Sequence, residues 1–107
     1  MIDLAGCGTA LVTPFKSSGE PDLETYSKFV QWQIDLGINF LVPVGTTGES
    51  VTLKEEEYCD VIRTCVETAS GAVPVLAGAG TNNTEYAVHL AQKAEELGAD
   101  ALLAVTP

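Results

Sequence analysis

Two kinds of hydrophobic pattern alternate along this chain. Short continuous apolar runs begin near residues 8, 40, 73 and 101, and each of the first three leads into a longer segment whose apolar residues recur every three or four positions. Continuous runs are typical of strands buried on both faces, and the second pattern of helices with one buried face. The sequence therefore predicts the order β-α-β-α-β-α-β, with strands over residues 8–13, 40–44, 73–77 and 101–105.

Each predicted helix has a candidate cap at its start and a glycine at its end. Asp22, Thr52 and Thr84 can accept a hydrogen bond from a first-turn N–H, and Glu55 would complete a capping box with Thr52. Glycine at the end of a helix favours the left-handed cap. We expect the helices to end at Gly37, Gly71 and Gly98, with inner faces formed by Leu23, Tyr26, Phe29, Val30 and Ile34, then Tyr58, Val61, Ile62, Cys65, Val66 and Ala69, then Ala87, Leu90, Ala91, Ala94 and Leu97.

A repeated strand–helix unit predicts an α/β fold with parallel strands and right-handed crossovers. Two architectures fit: a doubly wound open sheet, or the N-terminal half of a (β/α)8 TIM barrel. A complete barrel takes about 250 residues, so a chain of 107 residues could supply only about half of one. In both architectures function gathers at the carboxyl ends of the strands.

The most distinctive strand end is the threonine loop, residues 45–50, which reads Gly-Thr-Thr-Gly-Glu-Ser. Gly45 and Gly48 let the backbone approach a ligand, Thr46 and Thr47 add hydroxyl donors, and a helix follows. This combination indicates a site for a carboxylate or phosphate; the alternative is a strand–helix turn with its own cap. The other strand ends also carry threonine, at residues 13, 81 and 106, which favours the site.

Composition excludes several classes of partner. The formal net charge is −10, from 15 acidic and 5 basic residues, which argues against nucleic acid and anionic membranes. The N-terminus lacks the pattern of a signal peptide, and no apolar run approaches the ~20 residues of a membrane span. We therefore expect a cytoplasmic protein.

Isolated residues suggest no metal or dinucleotide site. His89 is the only histidine and has no clustered metal ligands around it in the sequence. Gly78-Ala79-Gly80 lacks the third glycine of a dinucleotide fingerprint, since residue 83 is asparagine. The three cysteines, Cys7, Cys59 and Cys65, have no metal-type spacing, and we expect them to be buried reduced thiols.

The strand ends together resemble a known family. The segments are Gly8-Thr9 to Thr13-Pro14-Phe15, Val44 to Ser50 with Thr52-Leu53, Gly78-Ala79-Gly80-Thr81-Asn82, and Gly98-Ala99-Asp100-Ala101 to Val105-Thr106-Pro107. They are similar to the dihydrodipicolinate synthase family, the pyruvate-dependent class I aldolases that include N-acetylneuraminate lyase. The resemblance covers the whole chain.

The resemblance implies a (β/α)8 barrel, usually a homotetramer, that works without metal or organic cofactor. Pyruvate would form a Schiff base with a lysine and then condense with aspartate semialdehyde, in lysine biosynthesis. Thr47 would hold the pyruvate carboxylate together with backbone N–H groups of the loop that Gly45 and Gly48 open. Thr46 would be the catalytic hydroxyl that links two tyrosines in a proton relay.

The resemblance also implies that part of the catalytic machinery lies outside this chain. The family's Schiff-base lysine, relay tyrosines and substrate-binding arginine fall beyond Pro107, so residues 1–107 would be the N-terminal half of one barrel domain and inactive alone. We expect the four lysines, Lys16, Lys28, Lys54 and Lys93, to be surface residues, and Tyr26, Tyr58 and Tyr86 to lie on helices. Two alternatives are a sugar-acid aldolase, such as N-acetylneuraminate lyase, and a non-enzymatic half-barrel binding module.

A further expectation concerns feedback by lysine. Family members inhibited by lysine bind it at a subunit interface near the loops after the second and third strands. Ser50 and Asn82 match that site, whereas Glu55, Tyr58 and Tyr86 replace residue types that those members use. The resemblance therefore disfavours inhibition by lysine.

Overall fold

Four short strands and three helices alternate along the chain, as the hydrophobic pattern predicts. The computed structural model describes residues 2–106. The strands are β1 (Gly8–Ala10), β2 (Phe40–Val42), β3 (Leu76–Gly78) and β4 (Ala101–Leu103). The helices are α1 (Leu23–Asp35), α2 (Glu55–Ala69) and α3 (Thr84–Glu96), and a single 3₁₀ turn, Ser50–Thr52, precedes α2.

The strands lie side by side in chain order. Gly8 of β1 pairs with Phe40 of β2, and Leu76 of β3 pairs with Ala101 of β4, both in parallel register. A parallel bridge between Leu41 and Val75 joins the two pairs. A doubly wound sheet reverses its strand order at a switch point, whereas a barrel adds each strand beside the previous one. The observed order is therefore that of a barrel wall.

The helices cover this wall and bury the predicted stripes. α1 packs on α2, and α2 contacts α3. The buried core contains Val30 of α1, Val61, Ile62 and Cys65 of α2, and Ala94 of α3, all with no exposed surface. Every residue assigned to an inner face from the sequence is buried or partly buried, and all of them except Ala87 belong to the core or pack against it. The hydrophobic periodicity was sufficient to orient all three helices.

One predicted helix cap is confirmed and two are wrong. The Asp22 carboxylate accepts the Thr25 N–H at 3.0 Å, and this bond lowers the pKa of Asp22 below its usual value. Thr52 does not cap α2, because it lies in the 3₁₀ turn and its hydroxyl donates to the Glu49 carbonyl at 2.9 Å. Lys54 is the actual cap, and its N–H donates to Glu57.

The third cap is shifted by one residue. Asn83, not Thr84, caps α3, since its side-chain oxygen accepts the Tyr86 N–H at 3.0 Å. The helix ends agree better with the prediction than the caps do. Gly37, Gly71 and Gly98 all have positive φ and follow the last helical residues.

The cysteine prediction is wrong for Cys7 and Cys59. Cys65 is buried, but Cys7 is exposed and Cys59 is half-buried. Cys7 precedes the first strand in a segment, residues 2–7, in which every residue is exposed, which the sequence pattern does not reveal. Burial raises the pKa of the Cys65 thiol to about 12.

Within residues 2–106, no helix has the length and hydrophobicity that a membrane crossing requires.

Candidate functional site

The strand before the threonine loop ends two residues earlier than the sequence predicts. β2 ends at Val42 rather than Val44, because Val44 has the left-handed φ of +50° and turns the chain out of the sheet. Glu49, near the end of the loop, also has a positive φ of +60°. For residues other than glycine such conformations are strained, and the strain is greatest for a β-branched residue. The loop is therefore a defined kink held by its surroundings.

Inside the loop, the backbone leaves donors free. The Gly48 N–H donates to the Gly45 carbonyl at 3.1 Å and the Glu49 N–H to the Thr46 carbonyl at 3.0 Å. Within residues 2–106, the N–H groups of Thr46 and Thr47 have no hydrogen-bond acceptor, and neither do their hydroxyls. Both threonines are exposed. Four adjacent unengaged donors suit an anion such as a carboxylate.

Neighbouring strands hold the loop on two sides. From the β1 side, the Thr13 hydroxyl donates to the Gly48 carbonyl at 2.8 Å. From the β3 side, the Gly78 N–H donates to the Pro43 carbonyl at 2.9 Å. Gly78 lies so close that a Cβ there would be 2.2 Å from the Val44 carbonyl oxygen, so only glycine fits.

A tyrosine continues this arrangement from α2. The Tyr58 hydroxyl donates to the Gly78 carbonyl at 2.6 Å. Burial raises the pKa of Tyr58 above its ordinary value, with smaller contributions from Cys59 and Tyr86, so the hydroxyl keeps its proton and acts as a donor at neutral pH. Tyr58 thus connects α2 to the strand end that touches the threonine loop.

The other threonine-bearing strand ends have different roles. Thr13 is buried, and its hydroxyl is hydrogen-bonded to the threonine loop at Gly48. The Thr81 hydroxyl is used within its own loop, where it bonds the Asn83 carbonyl at 2.7 Å and accepts the Asn83 N–H. Thr106 is exposed. Of the threonines singled out from the sequence, the pair Thr46 and Thr47 is the one that combines free donors with a constrained backbone.

The lysines and tyrosines lie where the sequence predicts. Lys16, Lys28 and Lys54 are exposed, and the Lys93 side chain is 39% exposed. Tyr26, Tyr58 and Tyr86 lie in α1, α2 and α3. A lysine that attacks a carbonyl must lose its proton, which requires a desolvated environment. These exposed positions lack one.

A cavity of about 240 Å³ lies behind the loop between α2 and α3. Val44, Leu53 and Leu90 contribute apolar surface, and Tyr58 and Tyr86 contribute aromatic rings. Ser50, Thr81 and Asn82 line it too, and none of its lining residues is charged. Glu55 lies outside it and hydrogen-bonds His89 at 2.7 Å, and the Tyr86 ring stacks on His89. The lining therefore offers no charged partner to the ammonium and carboxylate groups of a free amino acid, such as the lysine that inhibits some family members.

Sequence reasoning missed three features of this site. The Thr13–Gly48 hydrogen bond, the Tyr58–Gly78 hydrogen bond and the left-handed Val44 were not anticipated. Each depends on which residues meet across elements far apart in the chain, 35 residues for Thr13 and 20 for Tyr58. The small residue Gly78 at a strand end was the one available signal of a close backbone approach.

Known proteins share both the sequence and the fold of this chain. The Dihydrodipicolinate synthetase family matches residues 3–107. The 4-hydroxy-tetrahydrodipicolinate synthase of Nitratidesulfovibrio vulgaris strain Miyazaki F is 60% identical over 102 residues, which are 95% of this chain and 35% of the relative. This chain therefore spans about a third of the length of such curated relatives.

Two solved structures extend the comparison to the fold. Dihydrodipicolinate synthase from Bacillus anthracis superposes with a TM-score of 0.96 at 44% identity, over 100% of this chain and 37% of that one. The chloride-inhibited enzyme from Acinetobacter baumannii, solved with pyruvate, gives a TM-score of 0.93 at 44% identity, over 95% and 35%. These neighbours are TIM barrels, and the predicted fold class, the N-terminal strands and helices of such a barrel, is confirmed. The chain belongs to the dihydrodipicolinate synthetase family.

Proposed function

We propose that this chain supplies the pyruvate-carboxylate site of a synthase that condenses pyruvate with aspartate semialdehyde in lysine biosynthesis. The observation that carries the proposal is the constrained threonine loop, whose free hydroxyl and N–H donors lie at the carboxyl end of β2. Family membership supports it, as does the related structure solved with pyruvate. Two relatives that are 60% and 56% identical to this chain over the matched residues carry the synthase name, which favours the synthase over a sugar-acid aldolase.

In this proposal the two threonines have separate roles. Thr47, with the backbone N–H groups beside it, binds the pyruvate carboxylate, and Gly45 and Gly48 keep side chains out of the way. Thr46 passes a proton between two tyrosines that lie outside this chain. Neutral hydroxyls and N–H groups bind a carboxylate without adding a positive charge that would oppose the cationic Schiff base.

The nucleophile comes from elsewhere in the barrel. Pyruvate, a neutral lysine amine and one proton form an iminium with loss of water. Loss of a proton from the pyruvate methyl group then gives the enamine, which attacks the aldehyde carbon of the second substrate. None of the four lysines here lies in a desolvated environment. The isolated chain is therefore inactive, and borohydride with pyruvate should reduce no adduct onto Lys16, Lys28, Lys54 or Lys93. A trapped adduct on any of them would contradict this assignment.

A chimaera tests the site directly. Residues 3–107 replace the matching segment of the curated relative that is 60% identical, so that the remainder of the barrel provides the nucleophile. We expect the chimaera to condense the two substrates. Thr47→Val should raise the pyruvate KM about 10-fold or more, since a charge-assisted hydrogen bond is worth about 1.5–3 kcal/mol, and Thr46→Val should lower kcat.

The matched control is Thr64→Val. Thr64 lies on α2 and its hydroxyl donates to the Asp60 carbonyl at 2.8 Å, so this variant loses one hydroxyl without touching the loop. Its kinetic constants should equal those of the parent. An inactive parent chimaera, or a Thr47→Val variant with the parent's pyruvate KM, would rule out the proposed site.

We also propose that the full protein is a homo-oligomer. Val51 is 89% exposed, and it lies at the cavity beside Tyr86, which is 40% exposed. An exposed apolar patch of this kind is suited to a second copy of the chain. Sedimentation of the chimaera tests this: Val51→Asp should lower the observed mass relative to the parent, and a monomeric parent would contradict it.

A further inference from the structure

Thr13 occupies an unusual environment for its residue type. Among residues 2–106 it is the one polar, non-aromatic side chain that is buried, with 4% of its surface exposed. It lies just past β1, where the Leu11 N–H still donates to the Val42 carbonyl at 3.0 Å and keeps this segment beside β2. Pro14 follows and ends any further ladder bonding. Its hydroxyl is therefore placed by the sheet itself.

The Thr13 hydroxyl makes one hydrogen bond within residues 2–106. It donates to the Gly48 carbonyl at 2.8 Å, across 35 residues of chain. Gly48 is packed tightly against this segment, since a Cβ at Gly48 would lie 3.0 Å from the Leu11 carbonyl oxygen and 3.2 Å from the Thr13 Oγ1. The contact thus fixes the last glycine of the threonine loop against the end of β1.

The loop needs such a restraint. Val44, just before the loop, and Glu49, near its end, both have left-handed backbones. Residues other than glycine keep such conformations only where surrounding contacts impose them. Without the Thr13 donor, the buried Gly48 carbonyl must find another partner. The unengaged N–H groups of Thr46 and Thr47 are donors in the same loop, and binding of a carboxylate needs them free.

We propose that Thr13 is a positioning residue for the pyruvate-carboxylate site. Its hydroxyl holds the Gly48 carbonyl and so keeps the N–H groups and hydroxyls of Thr46 and Thr47 in the geometry that binds the carboxylate. Thr13 itself does not touch the substrate. This inference rests on the proposed function of the threonine loop and deepens it.

The test compares three variants of the chimaera. Thr13→Val keeps the shape and removes the donor, and Thr13→Ser keeps the donor. Thr64→Val removes a hydroxyl–carbonyl bond that lies within α2 and does not involve the loop. We expect Thr13→Val to lower kcat/KM for pyruvate about 10- to 100-fold, the range that a displacement of about 1 Å produces. The KM for the aldehyde should not change.

The control variants separate positioning from general stability. Thr13→Ser should remain within about threefold of the parent, since it retains a hydroxyl donor, and Thr64→Val should equal the parent. A Thr13→Val variant with the parent's kcat/KM for pyruvate overturns the inference, as does an equal rise in both KM values. If Thr13→Val does not fold, Thr13→Cys replaces it with the same expectations, because a thiol is a weak donor.

Hydrogen exchange gives a readout that is independent of turnover. The Gly48 and Glu49 amides are hydrogen-bonded inside the loop, and in Thr13→Val they should exchange about 10-fold faster than in the parent and in Thr64→Val. Equal exchange rates overturn the inference even if the parent chimaera is inactive. An inactive parent by itself counts against the proposed function alone, so the two failures are distinguishable.

Discussion

Gly78→Ala tests the close contact between β3 and the threonine loop. A Cβ on Gly78 would lie 2.2 Å from the Val44 carbonyl oxygen, 2.7 Å from the Val44 carbonyl carbon and 2.9 Å from the Gly45 Cα. All three atoms belong to the backbone, so no side-chain rotation relieves the clash. Ordinary contact begins near 3.4 Å, and one of the two strand ends must move by more than an ångström.

The cost of that movement follows from the bonds it breaks. Overpacking of a well-packed interior costs about 1–3 kcal/mol. The Gly78 N–H would also lose the Pro43 carbonyl, and the Gly78 carbonyl would lose the Tyr58 hydroxyl. Each broken bond contributes about 1 kcal/mol, or more where a buried group is left without a partner. We expect Gly78→Ala to lower the free energy of unfolding by about 3–5 kcal/mol.

Urea unfolding of the chimaera, followed by far-ultraviolet circular dichroism, measures this change. Gly45→Ala is the matched control: a Cβ there would meet only the Val42 Cγ1, at 3.9 Å, and should alter the free energy of unfolding by less than about 1 kcal/mol. Gly78→Ala should also raise the pyruvate KM, because the loop moves with Val44. If the two alanine variants are equally stable, the contact between Gly78 and Val44 is not as close as described.

Three further predictions concern stability. Tyr26→Phe should change the free energy of unfolding of the chimaera by less than about 1 kcal/mol, because the buried Tyr26 hydroxyl has no hydrogen bond of ordinary geometry within residues 2–106 and the Cys65 thiol that interacts with it is only a weak acceptor; a loss above about 2 kcal/mol would contradict this. Burial raises the pKa of Cys65 from 9.0 to about 12, which stabilises the fold fully below pH 9 and progressively less as the pH rises towards 12. Stability should therefore fall more steeply across that range in the parent than in Cys65→Ala, and parallel curves would contradict the assignment. Asn83→Ala should cost about 1 kcal/mol in urea unfolding as a lost cap, whereas Thr84→Ala should cost clearly less; the reverse order would restore Thr84 as the cap.

The sequence was sufficient to predict the order of the helices and strands and to identify the family. Periodicity located α1, α2 and α3 with their buried faces, because each face requires apolar residues at three- and four-residue spacing. The strand ends at Val44 and Ala77 were less well predicted: β2 stops at Val42 and β3 extends to Gly78. A strand's length depends on its hydrogen-bonding neighbours as well as its own residues, and hydrophobicity alone does not report them.

The sequence indicated which residues to propose for the site, but not the contacts that support them. Two adjacent threonines between glycines indicated an anion site, and the structure adds that their donors are unengaged within the described residues. The Thr84 cap failed because the Asn83 side chain, one residue earlier, accepts the first-turn N–H. The Thr52 cap failed because Ser50–Thr52 forms a 3₁₀ turn and α2 begins only after Lys54, whose own N–H donates to Glu57. The sequence grouped Thr13 with the other threonines at strand ends, whereas in the structure its hydroxyl donates to the Gly48 carbonyl.

The left-handed backbone at Val44 has a consequence for the order of folding. An isolated chain rarely places a β-branched residue there, so the kink should form only after β1 and β3 have docked against it. We expect substitutions in the loop to have φ-values near zero, accelerating unfolding while leaving the folding rate almost unchanged. The loop that we propose binds the substrate would then be the last part to form, and the rest of the barrel wall would reach its native form without it.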